Sequence, residues 1–270
     1  LELGGQRRFL TVLFCDVEGF STLAERIASR DLLDRVSTLL GIVTRRVHDQ
    51  HGTIDKFVGD GVMAFWGAPT PLDDHAFHAC VAALGVQREL DLLNDTWRQT
   101  GAPEMRLRVG IHSDVVLVGN VGSAERLSYT VLGDGVNIAA RLEGCNKVYG
   151  TPICISQDTF REAGDRLCVR PLDDVQVKGR RGMITIYELL GAHGAGAMYE
   201  PTQDMQDRAR MTHDAFDALV SGDHAAALAA YRAVLAVWPD DPVAALHVKR
   251  LETGQDHRRA TPLPLKAGDG

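Results

Sequence analysis

FCDVEGF, residues 14–20, and KFVGDGVMAFWG, residues 56–67, decide how the rest of the chain is read. The first closes an apolar run of strand-favouring residues, Phe9 to Cys15, which stops at Asp16 and passes through Gly19 into a helical segment led by Ser21. The second has the pattern of a β-hairpin: Ile54 to Val58, a Gly59-Asp60-Gly61 turn, then Val62 to Trp66, with glycines able to take backbone angles that side chains resist. That pattern places Asp60 at the exposed tip. Two carboxylates presented from strand ends suit a hard divalent cation, which takes oxygen ligands and binds through one or two carboxylates plus substrate phosphates. A phosphate-handling enzyme is the first expectation.

Outward from these runs, Ser21 to Gln50 repeats apolar residues at helical spacing through Leu23, Ile27, Leu32, Val36, Leu39, Val43 and Val47, which predicts one long or two shorter helices. Asp73 to Asn94 predicts another amphipathic helix. Met105–Ile111 and Val115–Val121 predict a second strand pair around a polar break at His112-Ser113-Asp114. A loop carrying Tyr129 and Thr130 then leads to a helix over Val136–Val148, with Asp134 as its expected N-cap. A short strand over Pro152–Ser156 follows. Two later strands, around Leu167–Val177 and Met183–Leu189, flank a turn of Lys178, Gly179, Arg180, Arg181 and Gly182. The order predicts an α+β domain with a mainly antiparallel sheet.

The chain has 270 residues, 45% hydrophobic and 24% charged, which is ordinary globular usage and argues against disordered or fibrous classes. A net charge of −7 argues against broad nucleic-acid binding, which needs a basic face. Cys15, Cys80, Cys145, Cys154 and Cys168 show no CxxC pair or zinc-like spacing and are expected to be reduced and mostly buried. No apolar run reaches the roughly 18 residues of a membrane helix, and no signal peptide is visible. The piece is therefore expected to be soluble and cytoplasmic. It starts Leu1-Glu2 rather than with methionine, so a preceding segment, a sensor or membrane anchor, is expected in the full-length protein.

Residues 191–202 begin rich in glycine and alanine and read as a linker; residues 203–254 read as a helical tail, and residues 255–270 as disordered. The run GDHAAALAAYRAVLAVWPDDP, residues 222–242, carries Gly222, Ala227, Leu228, Tyr231 and Pro239 at the positions of the second half of a tetratricopeptide repeat. A partial repeat cannot bury its own apolar face. The tail is expected to pack on the first domain, on a second copy or protein partner, or on sequence outside this chain; a generic amphipathic helix pair is the alternative.

TVLFCDVEGFS, DKFVGDGVMAFWG and SYTVLGDGVNIAARLE occur in the order found in class III nucleotidyl cyclases, and residues 7–190 resemble that family's catalytic domain. The resemblance implies a ferredoxin-like βαββαβ core with additional strands, and a dimer with its active sites between two catalytic domains. It further implies that Asp16 and Asp60 hold two divalent metal ions, Mg2+ or Mn2+, and that backbone amides of Val17, Glu18, Gly19, Phe20 and Ser21 meet a triphosphate. Asn137 and Arg141 match the transition-state pair, and i,i+4 spacing puts both on one helix face. Lys178 matches a lysine that contacts the triphosphate; an exposed basic turn is its alternative reading.

Lys56 and Thr130 match the purine-selecting positions. Lysine would donate to adenine N1, whereas a guanine reader would carry glutamate at position 56. Thr130 stands where many adenylyl cyclases have aspartate, a lysine/threonine pair that resembles the bacterial and bicarbonate-responsive soluble branch. A hydroxyl can donate or accept, so Thr130 leaves more of the discrimination to Lys56. The implied activity is adenylate cyclase, ATP to 3',5'-cyclic AMP and pyrophosphate, in a homodimer. Guanylate cyclase and a catalytically silent cyclase-like regulatory module are the alternatives. His75 and His78 share a helix face without acidic or cysteine partners and read as surface or core residues.

Overall fold

In the computed structural model, which describes residues 4–123, 127–176, 182–254 and 261–262, the apolar run at residues 9–15 is the middle of a long strand, β1 (Gly4–Val17). It is followed by α1 (Phe20–Arg26), α2 (Ser29–Asp49), β2 (Thr53–Val58), β3 (Gly61–Trp66), α3 (His75–Gln99) and β4 (Leu107–Gly122). These elements form the expected βαββαβ core. Beyond it come β5 (Leu127–Leu132), α4 (Asp134–Tyr149), β6 (Ile153–Ser156), α5 (Gln157–Ala163), β7 (Leu167–Gln176) and β8 (Met183–Ala192). The sheet runs β2-β3-β1-β4-β6-β8-β7, with β5 paired to β4 and a two-residue strand, β9 (Thr261–Pro262), beside β7. Pairing is antiparallel except at β4/β6 and β7/β9.

Strand alternation sends β1 side chains to opposite faces. Leu13, Cys15 and Val17 meet α2 and α3 on one side, while Leu10 and Val12 meet Ala139 of α4 on the other. β3 is buried along its whole length, which suits its unbroken apolar sequence. In α2, Leu32, Leu39, Ile42, Val43 and Val47 form the buried stripe. All five cysteines are free and buried.

Four local expectations change. Residues 107–122 are one continuous strand, because His112 and Ser113 are buried in mid-strand and bonded rather than exposed at a turn. His112 Nδ1 lies 2.7 Å from Ser156 Oγ, Ser156 and Ser113 each lie 3.1 Å from Thr159 Oγ1, Ser113 lies 2.8 Å from Thr11 Oγ1, and Thr11 lies 2.6 Å from His75 Nδ1. This chain of hydroxyls and imidazoles satisfies polar groups that burial would otherwise penalise. Tyr129 and Thr130 belong to β5 rather than a loop; Thr130 pairs with Gly119. Gly133, not Asp134, is the N-cap of α4, and Asp134 is the helix's first residue. Gly19, in left-handed backbone, precedes α1, so that helix starts at Phe20 rather than Ser21.

After β8 the chain turns through Tyr199, whose carbonyl accepts from Ala192 at 2.8 Å, and enters α6 (Gln203–Val220), α7 (His224–Val237) and α8 (Pro242–Glu252). Three helices thus stand where a pair was read. They pack on the first domain: Arg170 of β7 holds Glu188 at 2.5 Å and also Asp241 at the start of α8. Asp173 accepts from Tyr149 and Arg250, each at 2.7 Å, and His247 Nε2 lies 2.7 Å from the Leu172 carbonyl. Burial pulls the Arg170 guanidinium down, but Glu188 and Asp241 more than offset it and hold it above its ordinary value. No helix among the described residues is long and apolar enough to cross a membrane.

Candidate active site

Asp16 is the penultimate residue of β1, and its cross-strand neighbour in β4 is Arg108. The Arg108 guanidinium sits between two carboxylates, with Nη2 4.0 Å from Asp16 Oδ2 and Nε 2.9 Å from Glu143 Oε1 on α4. Asp60 does not project from the hairpin tip into solvent. It is half-buried and folded back, so that Oδ2 accepts from the Val17 amide at 3.3 Å. A Cβ on Gly61 would meet the Cys15 carbonyl at 2.5 Å and Asp16 Oδ1 at 3.2 Å. Only glycine lets the hairpin close on β1 there, and the closure brings the carboxylates of Asp16 and Asp60 to the same edge.

Among the described residues no group of three or more His, Cys, Asp or Glu side chains could hold a metal ion. At this edge the two carboxylates of Asp16 and Asp60 are the donors in view. That donor set fits Mg2+ or Mn2+, which completes its shell with water and phosphate oxygens. Of the neighbouring amides, Val17 donates to Asp60 and Glu18 to the Arg106 carbonyl at 2.8 Å. Gly19, Phe20 and Ser21 follow at the start of α1.

Asn137 is exposed and Arg141 half-buried, one turn apart on α4, whose opposite side buries Ile138, Ala139, Leu142 and Glu143. Residues two apart on a helix lie about 200° apart around its axis. Glu143 faces Arg108 and, through it, Asp16; Arg141, two residues away, points off that side of the helix, and Asn137, six residues from Glu143, lies about 120° around the axis from it. Gly110 sets how close α4 lies: a Cβ there would fall 2.1 Å from the Glu143 amide nitrogen and 2.4 Å from the Ala139 carbonyl.

Lys56 and Thr130 come together within one chain through a residue that sequence reading passed over. Thr130 Oγ1 donates to Asp55 Oδ2 at 2.5 Å, and Lys56 Nζ lies 3.5 Å from Asp55 Oδ1. The Asp55 side chain is only 1% exposed. Simple alternation would put Asp55 and Lys56 on opposite faces, but a register shift in β2 between Ile54 and Lys56 interrupts the alternation at Asp55. Arg108 and Glu143 were also passed over; Arg108 becomes visible only from the β1/β4 register. Lys178 lies outside the described residues. A cavity of about 550 Å3 is lined by Glu18, Arg88, Arg106, Lys147 and Arg208, with none of Asp60, Lys56, Thr130 or Asn137 on its wall.

Residues 6–191 match the family model described as the adenylate and guanylate cyclase catalytic domain. The chain belongs to this family. The cyclase domain is similar to Adenylate cyclase 1 of Rhizobium meliloti (strain 1021), 40% identical over 185 residues that cover 68% of this chain and 28% of the relative. Adenylate cyclase of Anabaena cylindrica is 33% identical over 197 residues, 70% of this chain and 38% of the relative. The chain thus spans roughly a third of the length of these curated relatives. Among solved structures, the guanylyl cyclase Cya2 superposes with a TM-score of 0.65 at 32% identity, covering 72% of this chain and 97% of that one. The adenylyl cyclase CyaB from P. aeruginosa has a TM-score of 0.65 at 31% identity, covering 72% and 100%.

Proposed function

We propose that this cyclase domain converts ATP to 3',5'-cyclic AMP and pyrophosphate in the cytoplasm, at two equivalent sites shared by a homodimer. The observation that carries the reading is the aim of α4: Glu143 is turned toward Asp16, while Arg141 points off that side of the helix and Asn137 is exposed, so both can serve another copy. Apolar side chains left exposed near these elements support a second copy. Phe57 and Val58 are 55% and 50% exposed on the hairpin that carries Asp60. Burying such surface on association is favourable by about 25 cal/mol per Å2.

Each site takes Asp16 and Asp60 from one copy and Lys56, Thr130, Asn137 and Arg141, with Lys178, from the other. Arg141 places its fixed guanidinium fork against the α-phosphate, where charge grows as the ribose 3'-oxygen attacks in line. Asn137 orients the ribose. The amides of Gly19, Phe20 and Ser21 receive triphosphate oxygens. Lys56 donates to N1 of adenine, which guanine, carrying a proton there, cannot accept. When bound, the two divalent ions supply Lewis-acid polarisation and charge neutralisation at the triphosphate. The names of the two curated relatives support the choice of ATP.

The tail is read as TPR-like, with Ala227, Tyr231 and Val234 packed among Phe216, Leu219 and Ala244, and its outer face as a place for a protein partner or second subunit.

Subunit complementation tests the shared site. Asp16→Ala and Arg141→Ala should each abolish cyclic AMP formation while leaving the fold intact. Mixed, they should regain about a quarter of wild-type activity, because half of randomly assorted two-fold dimers then hold one complete site. A mixture as inactive as its components would sink the shared site, and product from GTP in preference to ATP would overturn the choice of base.

A further inference from the structure

We propose that Asp55 is a positioning residue that fixes the base preference by setting the direction of the Thr130 hydroxyl. This rests on the reading of Lys56 and Thr130 as the base-facing pair. A threonine hydroxyl carries one proton and two acceptor lone pairs, and an ionised carboxylate only accepts. At 2.5 Å from Asp55 Oδ2, that single proton is committed to the carboxylate. What Thr130 can offer the purine is then a lone pair, which accepts from a 6-amino group and repels a 6-keto oxygen. The ambiguity of a hydroxyl as a base reader is removed by a neighbour that never touches the base.

The second Asp55 oxygen completes the device. Lys56 Nζ, 3.5 Å from Oδ1, can only donate, so one carboxylate orients both members of the pair. The register shift in β2 makes this geometry available, since it lets two consecutive residues serve the same site. Burial of the Asp55 side chain at 1% exposure restricts its alternative partners and keeps the arrangement in place.

Asp55→Asn gives a sharp test because it is nearly isosteric. The new amide turns its oxygen to Lys56, which only donates, and its NH2 to Thr130. Thr130 then accepts from the amide and sends its proton toward the base, the reverse of its original polarity. The assay compares kcat/KM of the full chain for ATP, for purine riboside triphosphate, which keeps N1 but lacks the 6-amino group, and for ITP, which carries a 6-keto oxygen.

Wild type should prefer ATP to purine riboside triphosphate by about five- to tenfold, the effect of one neutral hydrogen bond. In Asp55→Asn that preference should fall to near unity and the ATP:ITP ratio should drop by about tenfold, chiefly through KM for ATP with kcat less affected. A variant that loses kcat/KM equally for all three nucleotides, while Thr130→Val still alters their ratios, overturns the role of Asp55 and spares the base-facing pair. Unchanged ratios in both variants overturn the pair itself, and the proposal with it. If Asp55→Asn does not fold, the wild-type comparison decides: purine riboside triphosphate used as well as ATP refutes an accepting Thr130.

Discussion

Gly110→Ala is the substitution whose effect the structure fixes most tightly. The added methyl would fall 2.1 Å from the Glu143 amide nitrogen and 2.4 Å from the Ala139 carbonyl, both backbone atoms of α4, so no side-chain rotation relieves the clash. An ordinary carbon contact needs roughly 3.5 Å, so α4 must back away by about 1 Å or more. Overpacking of this kind costs about 1–3 kcal/mol, and backbone contacts put it at the upper end. In a chain of this length that corresponds to a fall in melting temperature of about 6–10 °C. The catalytic effect should be larger than the thermal one, because Asn137 and Arg141 ride on the displaced helix. Misplacement by about 1 Å costs on the order of a hundredfold in rate. The assay is cyclic AMP formation at saturating ATP with Mn2+, beside a thermal melt of the same sample. Gly41→Ala is the control, since nothing lies within 4 Å of its added Cβ, and it should be neutral or slightly stabilising. Wild-type turnover and melting temperature in Gly110→Ala would refute the claim that this contact positions α4.

Three further outcomes are expected. Asp241→Ala strips one partner from buried Arg170 and removes the side chain that caps α8 through the Ala244 amide, so it should cost about 3–5 kcal/mol in thermal or urea unfolding; a loss under about 1 kcal/mol would show that the clamp is dispensable. Burial holds the His75 imidazole below its ordinary value, and Glu162 and Asp74 restore only part of it. The unfolded chain therefore takes the proton first, so this contribution is complete above pH of about 6.5 and is lost as pH falls through the lower folded value; His75→Gln should flatten the acid limb of melting temperature against pH, and an unaltered limb contradicts this. Specific activity should rise with protein concentration until dimers saturate, and a specific activity constant through the measured dimer dissociation range argues for sites within single chains.

The hairpin and the first strand were legible because their apolar runs and flanking glycines are local signals. Asp16, Asp60, Asn137 and Arg141 could be proposed from sequence because they sit in short motifs. What periodicity concealed was polar burial. His112 and Ser113 looked like a break because the hydroxyls that satisfy them, on Ser156, Thr159 and Thr11, lie 44, 46 and 102 positions away in the chain. Asp55 was invisible for a related reason: its contact with Thr130 joins residues 75 positions apart and depends on the register shift in β2 and the approach of β5. The join between tail and first domain rests on Arg170, Asp173 and Asp241, whose pairing no local pattern predicts.

The central place of β1 has a consequence for synthesis. Its hydrogen bonds run to β3 on one side and to β4 on the other, where Gly4 through Val17 pair with Asn120 back to Leu107. Within this domain β1 is made first yet is among the last strands to be completed, since β4 follows it by some hundred residues, on the order of 5–20 s of translation. Throughout that interval a nascent chain bearing β1, β2 and β3 carries an unpaired edge of apolar backbone at the very strand that bears Asp16. Such edges invite pairing between chains. Fragments that end before Leu107 should aggregate, and slower elongation through α3 should lower the soluble yield of the whole chain.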